Sequence, residues 1–149
     1  MNRILPQIEN IVCLCVDSFE HHMVAGRLYH CYAAGAQQFA DISRALLLMD
    51  ELYESLGLPQ ATQAMRSFGR SERKAAPALP PLPPLLMEAR LVREQRGELA
   101  TFIVRLRQRQ NVSWQGQVLW QERGVSRNFR SALELLKLID GCVYQISNQ

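Results

Sequence analysis

Phe102-Ile-Val-Arg-Leu-Arg-Gln-Arg-Gln-Asn-Val-Ser-Trp-Gln-Gly-Gln-Val-Leu-Trp120 is the stretch that sets the fold. Phe102, Val104 and Leu106 alternate with Ile103, Arg105 and Arg107, and a period of two places one face of a strand on a core. Trp114, Val118 and Trp120 share a face of a second strand, with Gly116 between them. A third short stretch ends at Phe129, and Gly124 stands where the intervening turn needs a residue of positive φ. Ser131 then offers a side-chain oxygen to an orphan helix N–H, and Ser131-Ala-Leu-Glu134 has the form of a capping box. Apolar residues at 132, 135, 136, 139, 143 and 146 form the stripe of a helix lying on a sheet.

The same pattern stands 90 residues earlier. Gly26 falls on Gly116, Phe39 on Phe129, Leu46 on Leu136, Leu48 on Leu138 and Asp50 on Asp140, without a gap. Val12, Leu14 and Val16 alternate as 102, 104 and 106 do. A second strand is expected over Gly26 to Tyr32, with a turn at Gly35, and Asp41 takes the place of Ser131 as N-cap. Apolar residues follow at 42, 45, 46, 49, 53 and 56, and Gly57-Leu58-Pro59 stops the helix. Agreement of the apolar phase in every element is the main argument for an internal repeat.

The reading is therefore an α+β chain built from a duplicated hairpin, short strand and helix, an antiparallel sheet with amphipathic helices on one face. The units are 1–57 and 98–149. Residues 58–97 are a linker whose prolines at 77, 80, 81, 83 and 84 favour an extended spacer, followed by a short helix within 85–96 or by disorder. Each unit alone is marginal in size, which favours joining into one sheet or dimerising.

Charge divides the chain. Residues 1–56 hold three Arg against seven acids, a net of −4; residues 57–96 hold seven basic against three acidic, +4; residues 97–149 hold seven against four, +3. The halves attract one another, or the basic half meets an acidic partner. No apolar run approaches the ~18 residues of a membrane span, and Ile11 to Val16 is too short for a signal peptide. The four cysteines lack framework spacing, so a cytoplasmic protein with free thiols is expected.

Three candidate sites follow. If Phe102, Val104 and Leu106 face a helix, then Arg105, Arg107 and Arg109 face away, beside Gln115 and Gln117. Such a face contacts phosphates and base edges, or is simply solvated. In the first unit Cys13, Cys15, Tyr29 and Cys31 occupy that outer face. Their spacing suits no zinc motif, and an unpaired Cys acts as a small hydrophobe, so these residues form an interface with the other unit, the linker or a second chain. Glu20-His21-His22 is the one local acid–base cluster, but no nucleophile or phosphate cradle adjoins it. No catalytic residue, metal or cofactor is assigned.

The stretches Ser113-Trp-Gln-Gly-Gln-Val-Leu-Trp120 and Phe129-Arg-Ser-Ala-Leu-Glu-Leu135 resemble a group of small bacterial proteins with a W-x-G-x-V hairpin and an F-R-S-x-x-E-L helix start. Gly26-Arg-Leu-Tyr-His30 and Gly57-Leu-Pro-Gln60 look like the companion half. The resemblance implies architecture and no sites. A looser similarity, resting on Trp114, Phe129 and strand order, is to three-stranded-sheet DNA-binding domains such as plant AP2 factors and integrase arm-binding domains. The leading expectation is a non-catalytic protein that binds another protein as adaptor, regulator or inhibitor, with a homodimer among the candidate assemblies. The second is binding of DNA or RNA through Arg105, Arg107, Arg109, Gln115 and Gln117.

Overall fold

A computed structural model describes residues 9–57, 81–110 and 113–148. Among these residues the fold is α+β. Strands β1 (Val12–Glu20), β2 (Met23–His30) and β3 (Gln37–Phe39) precede helix α1 (Ile42–Ser55). A short helix α2 (Ala89–Glu94) leads into β4 (Ala100–Gln110), β5 (Ser113–Trp120), β6 (Val125–Phe129) and helix α3 (Ala132–Ser147). All six strands form one antiparallel sheet in the order β3-β2-β1-β4-β5-β6. Of the five prolines, Pro77 and Pro80 lie outside the described residues, and the helix expected within 85–96 is α2. No described helix is long and apolar enough to cross a membrane.

The two halves meet at β1 and β4, where Leu14 pairs with Phe102, Cys13 with Ile103 and Val12 with Val104. Cys13 and Ile103 are 90 positions apart, so the junction maps onto itself under that shift. Other features recur at the same interval. The register slips between Val16 and Ser18 on β1 and between Leu106 and Gln108 on β4, a β-bulge in each hairpin. Gly26 pairs with Val16 on one side and Phe39 on the other, and Gly116 with Leu106 and Phe129. A Cβ at Gly26 would fall inside the envelope of the Cys15 carbonyl oxygen, and one at Gly116 inside that of Arg105. The bulge thus demands glycine opposite it, and the buried phenylalanine covers the gap the glycine leaves.

Both helices lie on one face. Val12, Leu14, Val16, Phe102, Val104 and Leu106 meet Met49, Leu52, Tyr53, Leu135, Ile139 and Val143 in a single core. Tyr53 of α1 packs edge-on against Trp114 of β5, with ring centroids 5.2 Å apart. A helix of the first half therefore closes the core of the second. Asp41 accepts from the Arg44 N–H at 3.1 Å and Ser131 from the Glu134 N–H at 3.0 Å. Glu134 reaches back to the Arg130 N–H at 2.7 Å, one residue before the usual capping-box donor.

Two turns depart from expectation. Gly124 has φ 63°, as the four-residue β5–β6 connection requires, whereas Gly35 is not left-handed. The longer β2–β3 connection reverses without such a residue. The left-handed residues of the first half other than glycine are His21 and His22, φ 54° and 62°. They form the two-residue turn of the β1–β2 hairpin, where two positive φ values mark type I′, a turn that favours Asn-Gly.

Two predictions follow. Gly26→Ala and Gly116→Ala should each lower stability by about 3 kcal/mol or more, because backbone must move to admit the methyl group; urea unfolding of each variant measures this. Replacing His21-His22 by Asn-Gly should raise the urea midpoint by the equivalent of roughly 1 kcal/mol with an unchanged m-value.

Candidate binding surfaces on the outer face of the sheet

The face opposite α1 and α3 carries a second apolar layer of Ile11, Cys13, Cys15, Cys31 and Ile103, with Tyr29 and Leu119 packed at its margin. Cys13, Cys15 and Cys31 are buried, and the chain itself covers them. Met87, Ala89 and Val92 lie on this layer, and the Cys31 carbonyl accepts from the N–H groups of Leu86 (2.7 Å) and Met87 (3.1 Å). Of the three covers that the sequence allows for this face, the linker is the one in place. Cys13 and Cys15 have their sulfurs 3.8 Å apart, and the Cys13 thiol also reaches the Gln95 carbonyl at 3.6 Å. The hydrogen bond with Cys15 and burial together push the Cys13 thiol up. His21 and His22 lie six and seven residues along the hairpin from Cys15, roughly 20 Å away at strand rise.

A polar clamp holds the end of this cover. Asp17, the bulged residue of β1, accepts two hydrogen bonds from Arg27 (2.8 and 3.0 Å) and one from the Glu98 N–H (3.0 Å). Arg27 also donates to the Arg96 carbonyl at 2.8 Å and to the Tyr29 hydroxyl at 2.9 Å. One ion pair thus links β1 and β2 and pins the residues that lead from α2 into β4. Arg27 and the Glu98 amide hold the Asp17 carboxyl below the usual carboxylate range.

The second half has no such clamp. At the matching positions Arg107 replaces Asp17 and Gln117 replaces Arg27. Arg107 is exposed and donates to the Asn128 side chain at 3.0 Å. Arg105, paired with Gln117, is half-buried and meets Glu9 at 3.5 Å. Gln117 is exposed and Gln115 partly so. The β4–β5 register slips between Leu106 and Gln108, and beyond the slip position 109 pairs with Trp114; the Arg109 side chain expected on this face lies outside the described residues. Asn10 spans the junction here, its side chain bonding both the N–H and the carbonyl of Leu106 (2.9 and 3.3 Å).

Comparison with family models, curated proteins and solved structures finds no match to this chain. Surface chemistry alone then guides the functional reading.

Sequence reasoning missed the outer surface of the connector. Leu82, Leu85 and Leu86 are 47%, 64% and 54% exposed, while Met87 and Val92 turn inward. Leu85 and Leu86 border a cleft of about 320 Å³ with Glu9 and Cys31. The available signal was the run Leu85-Leu86-Met87 directly after the prolines, too many apolar residues for a solvated spacer.

Asp17→Asn should cost about 1 kcal/mol at neutral pH. Because the folded carboxyl has a depressed pKa, its contribution is present above the unfolded value of about 4 and is lost as pH falls through the folded value. Urea unfolding across a pH series should show wild type and variant separated at pH 7, with the gap shrinking as the pH is lowered below about 4.

Proposed function

We propose that this chain is a non-catalytic binding protein acting through protein contacts, an adaptor, regulator or inhibitor, and that Leu82, Leu85 and Leu86 on the connector form its contact surface. The observation that supports this is three large apolar side chains left in water within five residues of sequence, on a segment whose Met87, Ala89 and Val92 lie on the sheet. Single exposed leucines are ordinary on a protein surface, but a cluster marks an interaction site. The layer of Cys13, Cys15, Tyr29 and Cys31 belongs to this surface as its support, since the connector rests on it. We place the protein in the cytoplasm on its free thiols. The two halves read as copies of one unit, given the bulge, glycine and phenylalanine that recur together.

A second reading, nucleic-acid binding, draws on the uncovered outer face with Arg105, Arg107, Gln115 and Gln117. The exposure of Arg107 and Gln117 favours it; the Glu9 carboxylate beside Arg105 opposes it.

A Leu85→Ser, Leu86→Ser double variant should keep the fold and lose a co-purifying protein that wild type retains, as read by mass spectrometry of matched affinity isolates. Identical isolates from both would remove the connector as the contact. Under the nucleic-acid reading, labelled DNA or RNA binds wild type with an affinity that falls steeply with salt, and Arg105→Ala, Arg107→Ala abolishes it.

A further inference from the structure

On the helix side of the sheet, a cavity of about 390 Å³ opens between the β5–β6 end and α3. Its walls include Trp120, Leu138, Ile139 and Cys142, and Arg123 and Arg127 stand at its exposed rim. We infer that this cavity is a binding site for a small organic anion with an apolar tail or ring, such as a medium-chain carboxylate. Four observations bear on this.

The size and lining suit a small molecule. Such sites commonly span ~300–1,000 Å³, are mostly apolar and carry a few placed polar groups. Next, the charge at the mouth is uncompensated. Arg123 lies over the Trp120 ring at 4.7 Å, and Arg127 donates to the Ser126 carbonyl at 3.0 Å. Among the described residues neither forms an ion pair with a carboxylate. Both positive charges reach the interior: they oppose the upward push that burial gives the Cys142 thiol. Third, Trp120 is 8% exposed and its indole Nε1–H has no hydrogen-bond partner among the described residues. A buried donor is ordinarily satisfied, so the wall of this cavity holds a polar group still without its acceptor.

The fourth observation is the matching groove of the first half. Shifted by 90, Trp120, Arg127, Leu138, Cys142 and Gln145 become His30, Gln37, Leu48, Leu52 and Ser55, and these five line a smaller cavity of about 200 Å³. There the lining differs. Tyr32 and Pro83 border that cavity, and the His30 ring nitrogen Nδ1 is satisfied by the Tyr32 N–H at 3.0 Å. Ala33 stands at the position of Arg123, and Glu51 contributes a negative charge. The fold therefore does not require an open groove with a cationic mouth at this place. The second half has one because of substitutions at 120, 123, 127 and 142.

The test uses the full chain with octanoate and octyltrimethylammonium, which share a tail and differ in the sign of the head group. Cys142 is the reporter, since the other three thiols are buried. Octanoate should slow alkylation of Cys142 by iodoacetamide and bind in calorimetry, and octyltrimethylammonium should do neither. Arg123→Gln with Arg127→Gln should weaken octanoate at least tenfold. The charge-keeping pair Arg123→Lys with Arg127→Lys should hold it within a few-fold, separating loss of charge from loss of fold. Equal binding of both head groups, an unaltered affinity in the Gln pair, or no binding at millimolar octanoate would each overturn the inference.

Discussion

The pairing of β1 with β4 is the contact on which the rest depends. Each half alone is a three-stranded sheet with one helix, too little surface to bury a core of its own. Joining the halves edge to edge removes the two longest strand edges at once and leaves only β3 and β6 at the margins. It also brings both helices onto one continuous face, where Tyr53 of one half completes the packing around Trp114 of the other. The bulges serve the same end. They sit just past the paired stretch, twist the hairpins away from the junction, and require the glycines at 26 and 116 that let the strands approach.

The two halves share strand order, bulge and glycine positions, and differ in the side chains that bear on their surfaces. Asp17 and Arg27 form a clamp where Arg107 and Gln117 form none. The connector accordingly lies over the first half's outer face and leaves the second half's open. On the helix side the asymmetry runs the same way. The first half's groove is bordered by Tyr32 and Pro83, and the second half's is wide, apolar and rimmed by arginine. The outer face free of the connector and the larger of the two grooves thus both belong to the more basic half.

How much of this was legible in the sequence depends on how local the cause is. The strands of Phe102 to Leu106 and Val12 to Val16 were legible because alternation reports burial directly. The caps at Asp41 and Ser131 were legible because a single side chain makes the bond. The bulge at Leu106–Gln108 was not: Arg-Gln-Arg-Gln is polar in either phase, so a slip of register leaves no mark. The turn at His21-His22 lacks the Asn-Gly pair that announces a type I′ turn. The docking of α2 was hidden because six residues are too few to show a helical stripe, and its anchor is the carbonyl of Cys31. The cavity beside Trp120 draws on β5, β6 and α3 together, and the hint lay in comparing His30 with Trp120 at the 90-residue offset, not in either residue alone.

The central pair joins residues separated by about 90 positions, a distance that sets the order of events as the chain is made. β1 leaves the ribosome ahead of β4, and its inner edge waits for that partner. At ~5–20 residues per second this interval lasts several seconds. During that time the first hairpin exposes both the edge that β4 will occupy and the cysteine layer that the connector will cover. The Asp17–Arg27 pair lies wholly within this early hairpin, so charge already stands beside the open edge, and a charged margin is one of the devices by which a waiting strand avoids pairing with the wrong neighbour.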